Sequence, residues 1–254
     1  MTDPAGQSFL LDDLPLEIEA LCAIAQGVLI HCDWLSAYGL PQADPSSWSR
    51  ETLPLSRRLL QIVQPDPRPL AVRRPAAGRS IVTCRDFALT LCGMLRHQGV
   101  PARICCGFAA YLGGNLWEDH WICESWSSAQ NRWRRIDPQL DEVLKKRLAI
   151  RFDATDAPAN MFVTAGDAWR LCRKGQSNPD DFGHGANRGL WFVRVNVMRD
   201  HCALNDFEVS KWDSWRLASG AHRLVSDQDQ ETTDRVALRP EEGNDVDLTP
   251  SWSA

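Results

Sequence analysis

The sequence predicts an α+β domain: a helix that opens on Cys84, then three successive strands, with extra helices at both ends. Three observations lead there. Apolar residues recur at helical spacing between Thr83 and Gly99, and the three segments that follow read as successive strands. The third is composition, since 44% of the 254 residues are apolar and 24% charged, the balance of a globular chain. At a usual domain size of about 150 residues, that length fits one enlarged domain with appendages. The expected division is a flexible N-terminus at 1–13, a single domain at 14–225 with its chemistry in 79–142, and an acidic disordered tail at 226–254.

Leu16, Ile18, Leu21, Ile24, Val28 and Leu29 predict one or two helices over 14–40, closed by Gly39 and Pro41. Seven prolines punctuate 41–80, a loop with one short helix near Leu53 to Val63. Thr83 caps the next helix with Asp86 as acidic partner; Phe87, Ala88, Leu91 and Leu95 share its buried face, and Gly99 and Pro101 end it. ARICCGFAAYL, DHWICESW and RWRRIDPQL then read as strands, joined by LGGNLWE and by SSAQN. Met161, Phe162, Ala165, Ala168, Trp169 and Cys172 predict a helix stopped at Gly175. Leu190 to Leu204 fits either period and is read as a helix. From Ser226 onward eight acidic residues stand against two arginines, enough to account for the net charge of −5.

The 28 lysines and arginines form no block, so nucleic acid and anionic lipid fall away as partners. No apolar run nears the roughly 20 residues that cross a bilayer, and the first residues lack a basic and then hydrophobic signal pattern. The expectation is a soluble cytoplasmic protein with no membrane partner. Nine cysteines at irregular spacing, with no C-x-x-C pair, are expected to be reduced and to hold no metal. In the stretch DDFGHGANRG the glycine spacing is close to that of a phosphate loop, but no lysine follows and no strand clearly precedes it.

Cys84 falls in the first helical turn, where unpaired amide N–H groups and the positive end of the helix dipole favour a thiolate and offer donors to an oxyanion. A reactive thiol needs a base. If the second and third strands pair around a four-residue loop, Ser127 to Gln130, then Trp126 faces Asn131 and His120 faces Asp137, with a carboxylate placed to orient the imidazole. That is the layout of a Cys-His-Asp triad. Each residue alone has a plainer reading: a packed cysteine, a satisfied strand histidine, an Asp-Pro turn.

CRDFALTLCGMLRHQGVPAR, then DHWICESW, then RWRRIDPQLDE resembles the transglutaminase-like superfamily, whose pattern is a cysteine opening a helix, G-[IV]-P-A-R, H-W on a strand and W-x-x-[LIV]-D-P. The resemblance implies a papain-like α+β core in which the nucleophile helix packs on an antiparallel sheet, with Cys84 as nucleophile, His120 as general base and acid, and Asp137 as orienting carboxylate. Its flanks are similar to those of bacterial transglutaminase-like proteins and imply no substrate. The zinc-binding C-x-x-C pairs of peptide N-glycanases are missing, and no EF-hand-like loop suggests calcium, so no cofactor is expected. In animal members an upstream tryptophan serves the oxyanion; Trp34 and Trp48 are the candidates here, and Arg85 and Asp119 are candidate substrate contacts. The expected activity is cysteine-dependent acyl transfer, hydrolytic or transamidating, on a peptide, acyl-amide or acyl-thioester substrate, free or carrier-bound. The alternative is a non-catalytic papain-like binding module that acts as a partner in a pathway.

Overall fold

The structure is a computed structural model that describes residues 1–44, 48, 54–114, 116–215, 217–218 and 220–238. It divides into two compact units: Met1–Cys105, Trp121–Pro158 and Asp206–Glu208 in the first; Cys106–His120, Ala159–Asn205 and the chain from Val209 in the second. The protein is a mixed α/β structure with a helix-plus-sheet core, and among the described residues no barrel closes.

The first unit is built on α1 (Ile18–Val28), α2 (Leu55–Val63) and α3 (Cys84–His97), with buried Leu21, Ala25, Leu55, Leu59, Ala88 and Leu91 between them. β1 (Leu29–His31) runs parallel to β2 (Ser80–Val82), with His31 level with Val82. The helix expected near Leu53 to Val63 starts at Leu55; Leu53 lies outside the described residues. The expected flexible N-terminus is a correction: Ala5–Leu10 forms a 3-10 helix, Leu11 is buried, and the Met1 carbonyl accepts a hydrogen bond from Leu55 N–H at 3.0 Å. Burying Leu11 removes a large apolar side chain from water and anchors the segment.

Strands β3 (Ala102–Ala109) and β4 (Trp117–Ser127) contribute residues to both units. In the first, β4 pairs antiparallel with β5 (Arg132–Ile136), which leads into α4 (Glu142–Arg147). The register differs by two residues from expectation. Trp126 faces Trp133 rather than Asn131, and Cys123 faces Ile136 in the last ladder pair. Two causes set it. Asn131 takes a left-handed φ of 50° at the end of the turn, which asparagine tolerates, so the loop is 128–131. This register also puts the Trp126 and Trp133 rings edge to face at 5.6 Å and Arg135 opposite Glu124.

In the second unit β6 (Phe162–Thr164) pairs with β3, and β7 (Phe182–His184) with the start of β4 and with β8 (Asn187–Arg188). The glycine-bearing stretch DDFGHGANRG is thus a hairpin. The helix expected from Met161 begins only at Ala165 (α5, Ala165–Arg173), because the Thr164 hydroxyl caps it by accepting Asp167 N–H at 3.0 Å and the preceding residues extend the sheet. α6 (Leu190–Leu204) agrees with the helical reading. The first part of the expected disordered tail is α7 (Asp227–Val236), held by a Ser226–Asp229 capping box, by Arg194 on Asp229 at 2.6 Å, and by Trp169 Nε1 donating to Asp234 at 2.7 Å. Its acidity is matched by specific cations. The rest of that expected tail, 239–254, lies outside the described residues, as does Asn115 of the expected inter-strand loop.

Candidate active site

Cys84 is the first residue of α3 and is 2% exposed. Thr83 precedes it in extended conformation, with its N–H and hydroxyl both donating to the Asp86 carboxylate, at 2.9 and 3.1 Å. The other oxygen of Asp86 accepts from Arg58 of α2 at 2.7 Å, and the Thr90 hydroxyl donates to the Asp86 carbonyl at 2.7 Å. The turn that carries Cys84 is therefore fixed on both sides by buried polar bonds. Sequence reasoning found Thr83 and Asp86 but missed Arg58. A signal was present: Leu55, Arg58, Leu59 and Ile62 occupy one helical stripe and all four are buried, so Arg58 is a charge set in an apolar face.

Four other cysteines have thiols raised above their ordinary range by burial. Cys22 is pushed up to about 12, with the Asp137 carboxylate adding to the effect, and Cys172 and Cys202 are each pushed up to about 11. Cys123 is raised as well, by burial and then by its contact with Cys92. These are packed thiols that hold their protons at neutral pH.

His120 lies on β4 at 1% exposure, with the Tyr111 ring edge-on at 6.0 Å. Asp137 follows β5 immediately and is 1% exposed. Its N–H donates to the Ala154 carbonyl at 2.8 Å, which holds its backbone, and its carboxylate accepts Gln139 N–H at 3.0 Å. The register brings Asp137 level with Ile122, not with His120 as expected. A shift of two keeps side-chain parity, whereas a shift of one would have turned Asp137 to the other face. Asp137 also lines a cavity of about 470 Å³ in the first unit, with Cys22, Gln26, Arg73, Asp141 and Thr155. Cys84 and Asp137 belong to the first unit and His120 to the second.

The remaining candidates separate by environment. Trp34 is half-buried in the 3-10 helix Cys32–Tyr38 that follows β1, much as Cys84 follows its parallel neighbour β2. Trp48 is half-buried in the segment before α2. Arg85 is 2% exposed with its guanidinium 3.1 Å from the Met1 sulfur, and Asp119 is 5% exposed with its carboxylate held by Asn196 and Arg199. Among the described residues one group, His31, Cys32 and Asp33, brings three possible metal-ligand atoms within 4.8 Å of one another. These are consecutive residues of a helix cap, and His31 Nδ1 accepts Asp33 N–H at 3.1 Å.

The protein is a helix-plus-sheet structure whose third α-helix opens on a buried cysteine behind a capping box. Residues 68–138, the segment from the approach to α3 through Asp137, match the family model of the transglutaminase-like superfamily. The superfamily is typically one of cysteine-dependent acyl transfer. No curated protein and no solved structure matches the chain. Among the described residues no helix is long and apolar enough to cross a membrane.

Proposed function

We propose that the protein is a cysteine-dependent acyl-transfer enzyme with Cys84 as nucleophile, His120 as general base and acid, and Asp137 as the carboxylate that orients His120. The Cys84 sulfur attacks the carbonyl carbon of an amide, ester or thioester as its proton passes to His120. The bond to the leaving group breaks, and His120 returns the proton to that group. Water or an amine, deprotonated by His120, then releases the acyl group from sulfur. Water gives hydrolysis and an amine gives transamidation. The first-turn amides of α3 stabilise the oxyanion, and Trp34 is the better candidate for a second donor because it leaves β1 alongside the chain that leads to Cys84.

One observation carries this reading: inside the superfamily segment, Cys84 begins a helix whose N-terminal turn is locked by Thr83, Asp86 and Arg58. None of the nine cysteines forms a disulfide, which suits a thiol enzyme working in the reducing cytoplasm. Intact-mass spectrometry of wild type and Cys84→Ala with a panel of peptides, acyl amides and acyl thioesters tests it. A substrate-derived adduct on wild type alone supports the reading. His120→Ala is expected to slow both acylation and iodoacetamide alkylation of Cys84 at neutral pH, acylation by about a hundredfold or more. A Cys84 that alkylates no faster below pH 7 than an ordinary thiol would favour the binding module instead.

A further inference from the structure

His31 is the last residue of β1 and 5% exposed, and the acyl-transfer reading gives it no task. β1 runs parallel to β2 with His31 level with Val82, and Thr83 carries the extended backbone of β2 on to Cys84. Side chains at paired positions of parallel strands leave the same face, and every second residue along a strand returns to it. His31, Val82 and Cys84 therefore share a face. From a spacing of about 4.8 Å between strands and about 3.3 Å per residue along them, the Cα atoms of His31 and Cys84 stand about 8 Å apart. An imidazole on one side and a sulfur on the other leave room between them for one carbonyl group. Both residues belong to the first unit.

The ring is held by one edge. Nδ1 accepts Asp33 N–H at 3.1 Å and so caps the 3-10 helix Cys32–Tyr38. The Cys32 sulfur and an Asp33 carboxylate oxygen approach the same edge, at 4.0 and 3.9 Å from Nδ1. A nitrogen that accepts a hydrogen bond does not carry the ring proton, so in the neutral ring the proton sits on Nε2. Among the described residues no hydrogen bond engages Nε2. The neighbours of His31 along and across the ladder, Ile30 and Val82, are buried and apolar and offer no side-chain acceptor. A donor in such surroundings is costly unless an acceptor reaches it, and catalytic sites are one place where such groups recur. A neutral imidazole of fixed tautomer is an effective electrophile toward a substrate carbonyl.

We infer that His31 is a further catalytic residue of the acyl transfer, a side-chain donor to the oxygen of the carbonyl that Cys84 attacks; this rests on Cys84 being the nucleophile. As the carbon–sulfur bond forms, the carbonyl π pair moves onto oxygen. The oxyanion accepts hydrogen bonds from His31 Nε2–H and from the first-turn amides of α3. When the carbonyl re-forms, the leaving group departs with its bonding pair and takes its proton from His120, while His31 keeps its own throughout. An alkoxide oxygen has three lone pairs, so His31 adds to a Trp34 donor rather than replacing it.

Two probes separate donation from mere support. p-Nitrophenyl acetate acylates a thiolate through an oxyanion, whereas iodoacetamide alkylates it by direct displacement without one. Both are applied to the full chain, and are read as the p-nitrophenolate burst that Cys84→Ala loses and as the mass of the alkylated Cys84 peptide. His31→Asn keeps an acceptor for Asp33 N–H, asparagine being a favoured N-cap, but removes the donor at the Nε2 position. It is expected to acylate about a hundredfold more slowly than wild type and to alkylate at the wild-type rate. His31→Gln, whose amide reaches the Nε2 position, is expected to acylate faster than His31→Asn. An undiminished burst in His31→Asn, equal slowing of acylation and alkylation, or His31→Gln no faster than His31→Asn would overturn the inference and leave the acyl-transfer reading standing. No burst from wild type would overturn both. Nitrogen NMR of the wild-type histidine rings needs neither turnover nor a folded variant. It is expected to show His31 protonated on Nε2 alone at neutral pH, and an Nδ1–H ring or an imidazolium would overturn the inference.

Discussion

Arg58 reaches from α2 to the first turn of α3, and both members of its pair with Asp86 are buried, at 2% and 7% side-chain exposure. Breaking a buried ion pair by removing one partner leaves the other charge uncompensated, at a cost of about 3–5 kcal/mol. Arg58→Met is therefore expected to destabilise the protein by about that much in urea denaturation, and Arg58→Met with Asp86→Asn by less, since no charge is then stranded. The same carboxylate lies two residues from Cys84 in the turn whose dipole favours a thiolate. Without Arg58 it opposes the thiolate, so the alkylation profile of Cys84 should move to higher pH in Arg58→Met and back in the double variant. An unmoved profile in folded Arg58→Met would limit the role of Arg58 to holding the helix in place. Glu19, Arg57 and Asp33 on the neighbouring first-unit elements sit at exposed positions and His31 accepts Asp33 N–H, so Arg58 is the buried cation those elements bring, beside the buried Arg85 of α3 itself.

At the level of elements, β3 depends on a glycine for its pairing with β6. A Cβ on Gly107 would meet the Val163 carbonyl oxygen at 2.2 Å, a backbone atom that cannot step aside without parting the strands. Gly107→Ala is expected to cost about 2–3 kcal/mol, measured by thermal or chemical denaturation; a loss under about 0.5 kcal/mol would mean the strands separate freely. A chain ending at residue 225 loses α7 and uncovers Trp169, with further loss at Val236 and Ala237, buried apolar groups worth about 1.5–3 kcal/mol for each large side chain. Such a truncation should lower the melting temperature markedly compared with a chain ending at residue 238. The sequence made the three central strands and α3 legible because their turn residues and apolar periods are local. At α7 and α6, partners distant in sequence decide. Acidic α7 looks solvated until Arg173 and Arg194 are set against it, and α6 is ambiguous because it is buried nearly all round, its polar residues answered by Asp229, Asp119 and the Cys106 amide. The hairpin register turned on a tryptophan pair and an asparagine φ that alternation alone does not specify. Around Cys84 the cap formed by Thr83 and Asp86 was readable, and Arg58, signalled by its place in the apolar stripe of α2, was overlooked.

For the molecule as a whole, the buried thiols set a limit on alkaline stability. Cys22 has an ordinary thiol pKa of 9.0 in the unfolded chain and about 12 in the folded one, chiefly through burial, and Cys172 and Cys202 reach about 11 for the same reason. As pH rises past 9 the unfolded chain loses these protons while the folded chain keeps them. The unfolded state then binds fewer protons, so stability falls with increasing pH: the contribution is whole below pH 9 and is lost as pH climbs toward 11–12. Tyr38, raised by burial and by Asp141, acts in the same direction. Cys22 contributes a loss on the order of 2 kcal/mol by about pH 10.5; Cys202, raised less, and the half-buried Cys172, which solvent screens, contribute less. Urea denaturation between about pH 8 and pH 10.5 should therefore show declining stability, and Cys22→Ala, whatever its stability at pH 8, should decline less steeply. Equal slopes for wild type and Cys22→Ala would mean that the Cys22 thiol ionises in the folded chain as readily as in the unfolded one, and that its burial does not hold the proton.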